Sequence, residues 1–394
     1  MLDFDAAIEK LREAVRPLGS SMVPLGDAAG RYLAQDLLAR SDAPSRAISA
    51  MDGYAVKESS TRPGEWLSVT HEIKAGSFAP GAIFSGEVAR IFTGAPLPEG
   101  ADCVIMQEYA TREGNRVRFA EGFGPARHIR QAGSDFRAGD LLLSRGTRLV
   151  PRAMVSAAAA DVAEVEVHSR PRIAILATGD ELADPGTAFE TPGSLPESVS
   201  FGVAAMVAQM GGEVVFHARS GDDLAALTGL AGKALAAADC AVVTGGASVG
   251  DHDLARPMFG EAGLELVFSR IAIKPGKPVW LGLAKGKLVI GLPGNPTSAM
   301  VTARLFLRPL LAAMQGGAVS EELRFLPMPL AAPVPETGTR ETFVRARGTH
   351  DGLMPVGNQE SGSQSPMSQA GWLIRRPAGS PASDAGALVE ALDF

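Results

Sequence analysis

Ile271-Ala-Ile-Lys274-Pro275-Gly276-Lys277-Pro278 and, a few residues on, Leu288-Val-Ile-Gly291-Leu-Pro293-Gly294-Asn295-Pro296-Thr297-Ser298-Ala-Met300 decide how this chain is read. Pro275 fixes φ and Gly276 is free to take a positive one, so the first segment is a turn that presents the ammonium groups of Lys274 and Lys277. Leu288–Leu292 is an apolar run of β type, ended by a rigid turn. A helix follows, with Thr297 or Ser298 as its expected N-cap and Met300, Ala303, Leu307, Leu310, Leu311 and Met314 along one face. A helix N-terminus beside two lysines is suited to holding an oxyanion, which points at phosphate-bearing substrates.

The same alternation extends upstream. After Arg170-Pro171 come Arg172–Ala177 (strand), a helix near 200–210, Glu213–His217 (strand), a helix near 222–238 and Cys240–Thr244 (strand). That order predicts a doubly wound, mostly parallel sheet with helices on both faces. Ligands in such sheets sit at the carboxyl ends of strands. The loops in question are Thr178–Glu181, Thr244–Asp253 and the Lys274–Lys277 turn.

Around this centre the character changes. Residues 3–16 alternate as an amphipathic helix (Phe4, Ala7, Ile8, Leu11, Val15), and a second helical stretch is expected over 27–33. From 39 to 135 short β-type runs such as Trp66–Thr70, Glu87–Phe92, Cys103–Met106 and Asn115–Phe119 are broken by Gly and Pro. Helical composition returns at 150–160, so the β module reads as an insertion. The expected architecture is multidomain α/β plus β. A mixed helical domain (1–38 plus 136–170) carries an inserted small β module (39–135); a doubly wound domain (171–317) and a C-terminal β domain (318–394) follow.

The chain has 394 residues, 46% hydrophobic and 21% charged, which is ample for several cores. A formal charge of −7 with no long basic run excludes a general nucleic-acid binder, so anion binding has to be local. Cys103 and Cys240 each follow an Ala-Asp pair and read as buried thiols of a reducing compartment. The start Met1-Leu-Asp-Phe-Asp has neither a cationic segment nor an apolar signal core, and Met154–Ala160 is too short to span a membrane. A cytoplasmic location with no membrane partner is expected.

Several loops carry chemistry. Thr178-Gly179-Asp180-Glu181 offers adjacent carboxylates that either hold Mg²⁺, a hard cation, or serve as an ordinary cap. Ser220-Gly-Asp222-Asp223 has the spacing of a capping box. Thr244-Gly245-Gly246-Ala-Ser248-Val-Gly250-Asp251-His252-Asp253 brings glycine backbone close to a phosphate. It also matches a G-x-S-x-G elbow, whose triad would need His350, but Asp-His-Asp follows where a helix should start. Ser49–Ala55 with Asp52, and Thr93–Asp102, read alone as turns. Six scattered histidines give no zinc pattern.

Taken together, Ser49–Ala55, Arg90–Asp102, Arg130–Asp135, Thr178–Leu182, Gly245–Asp253, Ile273–Pro278 and Gly291–Ser298 resemble, in order and over essentially the whole chain, the molybdopterin molybdenumtransferases of molybdenum-cofactor synthesis, related to the C-terminal part of gephyrin. The resemblance implies an elongated homodimer of four-domain subunits, with the active site between the doubly wound domain of one and the β module of the other. It implies a transferase that takes adenylylated molybdopterin and molybdate, uses Mg²⁺ and releases AMP. Carried over, Asp52, Thr93, Asp135, Lys274 and Lys277 are catalytic. Gly245, Gly246, Ser248, Pro293, Pro296 and Ser298 bind substrate, and Glu181, Asp222 and Asp251 are on the metal side. A molybdopterin adenylyltransferase is implied upstream, and apo-molybdoenzymes or their chaperones downstream. The sequence departs from the family pattern at Val199, where Asn is usual, at Ser134, where Glu is common, and in the irregular loop 183–196. Val199 motivates the alternative of a divergent paralogue that binds molybdopterin or a partner enzyme as a scaffold with little catalysis.

Overall fold

Strands covered on both faces need apolar side chains at successive positions, and the central sheet has them. In the computed structural model, which describes residues 1–78, 81–124, 126–245 and 254–394, six strands form this sheet. They are Arg172–Thr178 (β1), Glu213–Ser220 (β2), Cys240–Thr244 (β3), Glu265–Ser269 (β4), Trp280–Ala284 (β5) and Lys287–Leu292 (β6). Their order is β2-β1-β3-β6-β5-β4; the first four run parallel, and β5 and β4 close the edge antiparallel.

Alternate residues of these strands enter two separate cores. Ile173, Ile175, Val242 and Ile290 pack with helix α1 (Phe4–Ala14), helix α2 (Val199–Gln209) and the helical run after β6. Ala174, Leu176, Ala241, Val243 and Val289 pack on the other face with Leu227, Ala231, Ala234 and Leu235 of helix α3 (Leu224–Ala237). The expected two-faced, doubly wound arrangement is therefore present.

The run after β6 is helix α4 (Pro296–Thr302), a π-helical turn (Ala303–Leu307) and a further helix (Arg308–Met314). The guanidinium of Arg304, only 1% exposed, lies in the π turn. It donates to the Asp393 backbone oxygen and carboxylate and to the Glu322 carbonyl, so its buried charge is matched. A second sheet follows, in the order Ile273–Lys274, Glu341–Thr349, Trp372–Arg376, Leu388–Asp393, Leu326–Pro329. Ile273 and Lys274 pair in parallel with Glu341 and Thr342, so the lysine turn starts on a strand of this sheet.

Contacts divide the chain into two units: residues 1–35, 145–151 and 164–394, and residues 36–144 with 152–163. The second unit holds a six-stranded sheet in the order Cys103–Met106, Gly53–Val56, Glu87–Ile91, Leu67–Ile73, Arg116–Phe119, Ala110–Glu113. Tyr54, Val56, Val88 and Ile105 fill one core, and Ala55, Ala89, Ile91 and Val104 the other.

The expected helix over 27–33 is absent. A single 3₁₀ turn covers Leu25–Asp27, and Tyr32 and Leu33 instead form bridges with Arg148 and Val167. Gly26 and Gly30 weaken any helix there, and burying Tyr32 and Leu33 against extended backbone wins. No helix among the described residues is long and apolar enough to cross a membrane.

Cys103 and Cys240 are both free and buried. Burial pushes the Cys103 thiol up to about 11 and the Cys240 thiol up to about 12. At about pH 8 neither is then a thiolate in the folded protein, and thiolate is the reactive form. Ellman's reagent is expected to leave both thiols unlabelled until denaturant is added; rapid labelling of either in the native protein would refute this.

Candidate active site

The carboxyl ends of the parallel strands open into one cleft of about 1380 Å³. Thr178 ends β1 and Gly179 and Glu181 follow it, Asp222 follows β2, Thr244 ends β3 with Gly245 next, and Pro293–Pro296 follow β6. The opposite wall is the turn Lys274–Pro278.

Backbone proximity sets the floor. Gly245 has φ +93°, and a Cβ there would lie 2.2 Å from the Thr178 carbonyl oxygen, so only glycine fits between the two strand ends. Beyond it, Asp180 does not act as a lone cap. Its Oδ1 accepts from the Asp222 amide at 2.9 Å and so fixes the turn after β2. Asp223, not Ser220, caps α3, accepting from the Ala226 amide at 2.8 Å. The capping-box expectation is corrected accordingly: Asp223 caps, and Asp222 lines the cleft with Glu181.

The lysine turn is pressed from behind. Gly276 has φ +104°, and a Cβ there would lie 2.2 Å from Thr302 Cγ2 in α4. The Lys274–Pro275 peptide is cis. Lys274 and Lys277 are exposed to the cleft, and among the described residues neither has an ion-pair partner.

Helix α4 starts earlier than expected. Asn295 is its N-cap and Pro296 its first residue, a position that suits proline because no intrahelical N–H is required there. The Thr297 hydroxyl instead donates to the Ser363 carbonyl at 2.6 Å, and Asn295 donates to Ser361 Oγ at 3.1 Å. Pro293, Pro296 and Ser298 all line the cleft. At the start of α2, Glu197 is 4% exposed and accepts from the Ser200 amide and hydroxyl, which makes it the capping side chain. Val199 is 7% exposed and joins the core while touching the cleft, so the unusual residue there does packing work.

Sequence reading missed a whole wall. Arg340, Gln359, Glu360, Ser361 and Gln364, from the C-terminal sheet and its loop, line the same cleft. Arg340 donates to the Ile273 carbonyl at 3.3 Å, beside Lys274. The polar run Asn358–Gln364 was the available signal, but a polar loop has no periodicity that assigns it to a distant turn.

In the second unit Asp52 and Thr93 come together. Asp52 Oδ1 accepts from the Thr93 amide at 2.7 Å and from its hydroxyl at 2.8 Å. Those two bonds, with Arg90 nearby, hold the Asp52 carboxyl below the usual carboxylate range. Asp135 is exposed, its amide bonded to the Ala43 carbonyl, and no hydrogen bond among the described residues joins it to that pair. Gly246, Ser248 and Asp251 lie outside the described residues. Among the described residues no three His, Cys, Asp or Glu side chains converge as a metal cluster.

A doubly wound sheet whose strand ends gather carboxylates, glycine backbone and two lysines without ion-pair partners among the described residues defines an anion-binding enzyme cleft. Residues 2–160 match the MoeA N-terminal region (domain I and II), 174–313 a probable molybdopterin binding domain, and 327–394 the MoeA C-terminal region (domain IV). A molybdopterin molybdenumtransferase of Haemophilus influenzae is 35% identical over 80% of this chain and 78% of its own length. One from Synechococcus elongatus is 32% identical over 99% of each. A crystal structure of a molybdopterin biosynthesis MoeA protein from Pyrococcus horikoshii superposes with TM-score 0.86 at 25% identity, covering 100% of both chains. A second crystal structure of a molybdopterin biosynthesis MoeA protein from that organism gives TM-score 0.78 at 29% identity, covering 99% of this chain and 98% of the other. The chain belongs to the MoeA family of molybdopterin molybdenumtransferases and is accordingly a transferase of molybdenum-cofactor biosynthesis.

The seat of Gly276 gives a direct test. Gly276→Ala combines positive φ with a clash against the Thr302 side-chain methyl, and is expected to destabilise the fold by about 1–3 kcal/mol in denaturant melts. A melt unchanged from wild type would show that the turn is not pinned as described.

Proposed function

We propose that this transferase inserts molybdenum from molybdate into adenylylated molybdopterin and releases AMP. The observation that carries the reading is the pair of lysines, without ion-pair partners among the described residues, facing Glu181 and Asp222 within one cleft. Molybdate and the pyrophosphate link of the adenylate are both anions. Fixed ammonium groups and backbone donors attract them, and oriented donors stabilise charge that develops as the phosphate bond breaks.

Carboxylates in the same cleft would repel those anions without a cation between them. Glu181 and Asp222 are hard oxygen donors, the set a Mg²⁺ ion takes, and no hydrogen bond or ion pair among the described residues engages the Glu181 carboxylate. They would hold the ion, with Asp251 as the third proposed ligand. The bound ion would neutralise phosphate charge and polarise the bond to be cleaved. Lys274 and Lys277 orient the oxyanion, and Gly245, Pro293, Pro296 and Ser298 shape its seat. Gly246 and Ser248 are proposed for the same seat on the family resemblance alone. That resemblance also assigns Asp52, Thr93 and Asp135 to catalysis; supporting it is the lowered Asp52 carboxyl, ionised near neutrality and oriented by Thr93. The homodimer, the upstream adenylyltransferase and the downstream molybdoenzymes are part of the same proposal.

Purified protein is expected to release AMP from adenylylated molybdopterin only when both molybdate and Mg²⁺ are supplied. Lys274→Ala and Asp52→Ala should each lower that rate by about a hundredfold or more with unchanged circular dichroism. Binding of the adenylate with no release under any condition would turn the assignment toward the scaffold alternative, and Val199→Asn would then be the restoring variant to try.

A further inference from the structure

Arg345, on the strand Glu341–Thr349, has no accessible surface, yet among the described residues no carboxylate lies within ion-pair distance of its guanidinium. Its partners are neutral. Nη1 donates to Thr297 Oγ1 at 3.2 Å and to the Ser363 carbonyl at 3.5 Å. Nη2 donates to the carbonyls of Asn358 at 2.9 Å and Glu360 at 3.3 Å. Nε is buried with no partner. The backbone of Arg345 is also engaged: its amide donates to Gln359 Oε1 at 3.0 Å, and its carbonyl accepts from Gln359 Nε2 at 2.8 Å.

Segment 358–363 is thus wrapped around one guanidinium, and the other side of this segment is a wall of the cleft. A buried cation balanced only by dipoles is costly: Arg304, 1% exposed, is matched by Asp393, whereas Arg345, and Arg376 on the neighbouring strand, have only neutral partners among the described residues. Burial lowers the Arg345 pKa. A countercharge bound in the cleft would relieve that cost, because a field from a desolvated charge is weakly screened.

We propose that Arg345 is a positioning residue for the anion site: it shapes segment 358–364 as a cleft wall, and its buried positive charge is balanced when an oxyanion occupies the cleft. The inference rests on the oxyanion-transferring function proposed above. Arg345 does not itself line the cleft, so it acts through the segment and through its field.

The test is molybdate titration by calorimetry on the full-length protein, comparing wild type, Lys274→Ala, Arg345→Lys and Arg345→Met, at low and at high salt. Arg345→Met is expected to weaken molybdate binding by about tenfold or more, and Arg345→Lys, which keeps the charge, by no more than about threefold. The gap between the two should persist at high salt, as it does for a buried charge. A purely structural role would move both variants in the thermal melt and neither in affinity relative to folded fraction. If Arg345→Met does not fold, Arg345→Gln takes its place in the same comparison. A folded neutral variant with wild-type affinity overturns the proposal, as does an Arg345→Lys protein as weak as the neutral one. Wild type that binds molybdate and loses it on Lys274→Ala, with Arg345→Met unaffected, overturns this proposal alone; wild type with no molybdate binding removes the oxyanion reading and this inference together.

Discussion

The contact of Gly276 with Thr302 fixes where the lysine turn sits, and most of the cleft is arranged around it. On one side α4 leaves no room for a side chain. On the other, Ile273 and Lys274 are paired as a strand with Glu341 and Thr342. The turn therefore sits where the doubly wound sheet, its last helix and the C-terminal sheet meet. Thr297 and Asn295, from the start of α4, reach the loop 358–363, so the two walls of the cleft are tied to each other by hydrogen bonds as well as by packing.

Charge is distributed to match. The chain is acidic as a whole, yet the cleft sets Lys274, Lys277 and Arg340 among Glu181, Asp222 and Glu360. A mixed lining of this kind favours a ligand that brings its own anionic groups together with a divalent cation, and disfavours a simple cation or an uncharged molecule. Positioning by backbone recurs: Asp180 holds the Asp222 amide, Glu197 caps α2, and Thr93 holds Asp52. In each case one polar side chain is spent on placing another residue.

Much of this was legible beforehand because it is local. The strand–turn–helix pattern after Arg172, the amphipathic face of α1 and the strand Cys103–Met106 follow from the period of apolar residues, and the structure has them. The failures are equally physical. Gly26 and Gly30 broke an expected helix, and the true N-cap of α4 was Asn295 because proline fits only the first helical position. The role of Arg340, Arg345 and the loop 358–364 depends on a parallel pairing between residues nearly seventy positions apart, which no local pattern announces. Val199 looked like a lost polar contact; in the folded chain it is also a core residue.

Phe4 of the first helix packs edge-on against Phe306 of the helical run and Phe343 of the C-terminal sheet, and all three belong to one apolar core with Ile175 and Ile290. The chain's beginning, middle and end are thus sealed by the same oil drop. Cutting away the last seventy residues would strip that core and also remove Glu341–Thr349, the strand with which Ile273 and Lys274 pair. The C-terminal sheet is consequently no appendage that evolution or a protease can trim at leisure; it is a keystone, and the reaction cleft exists only while the arch stands.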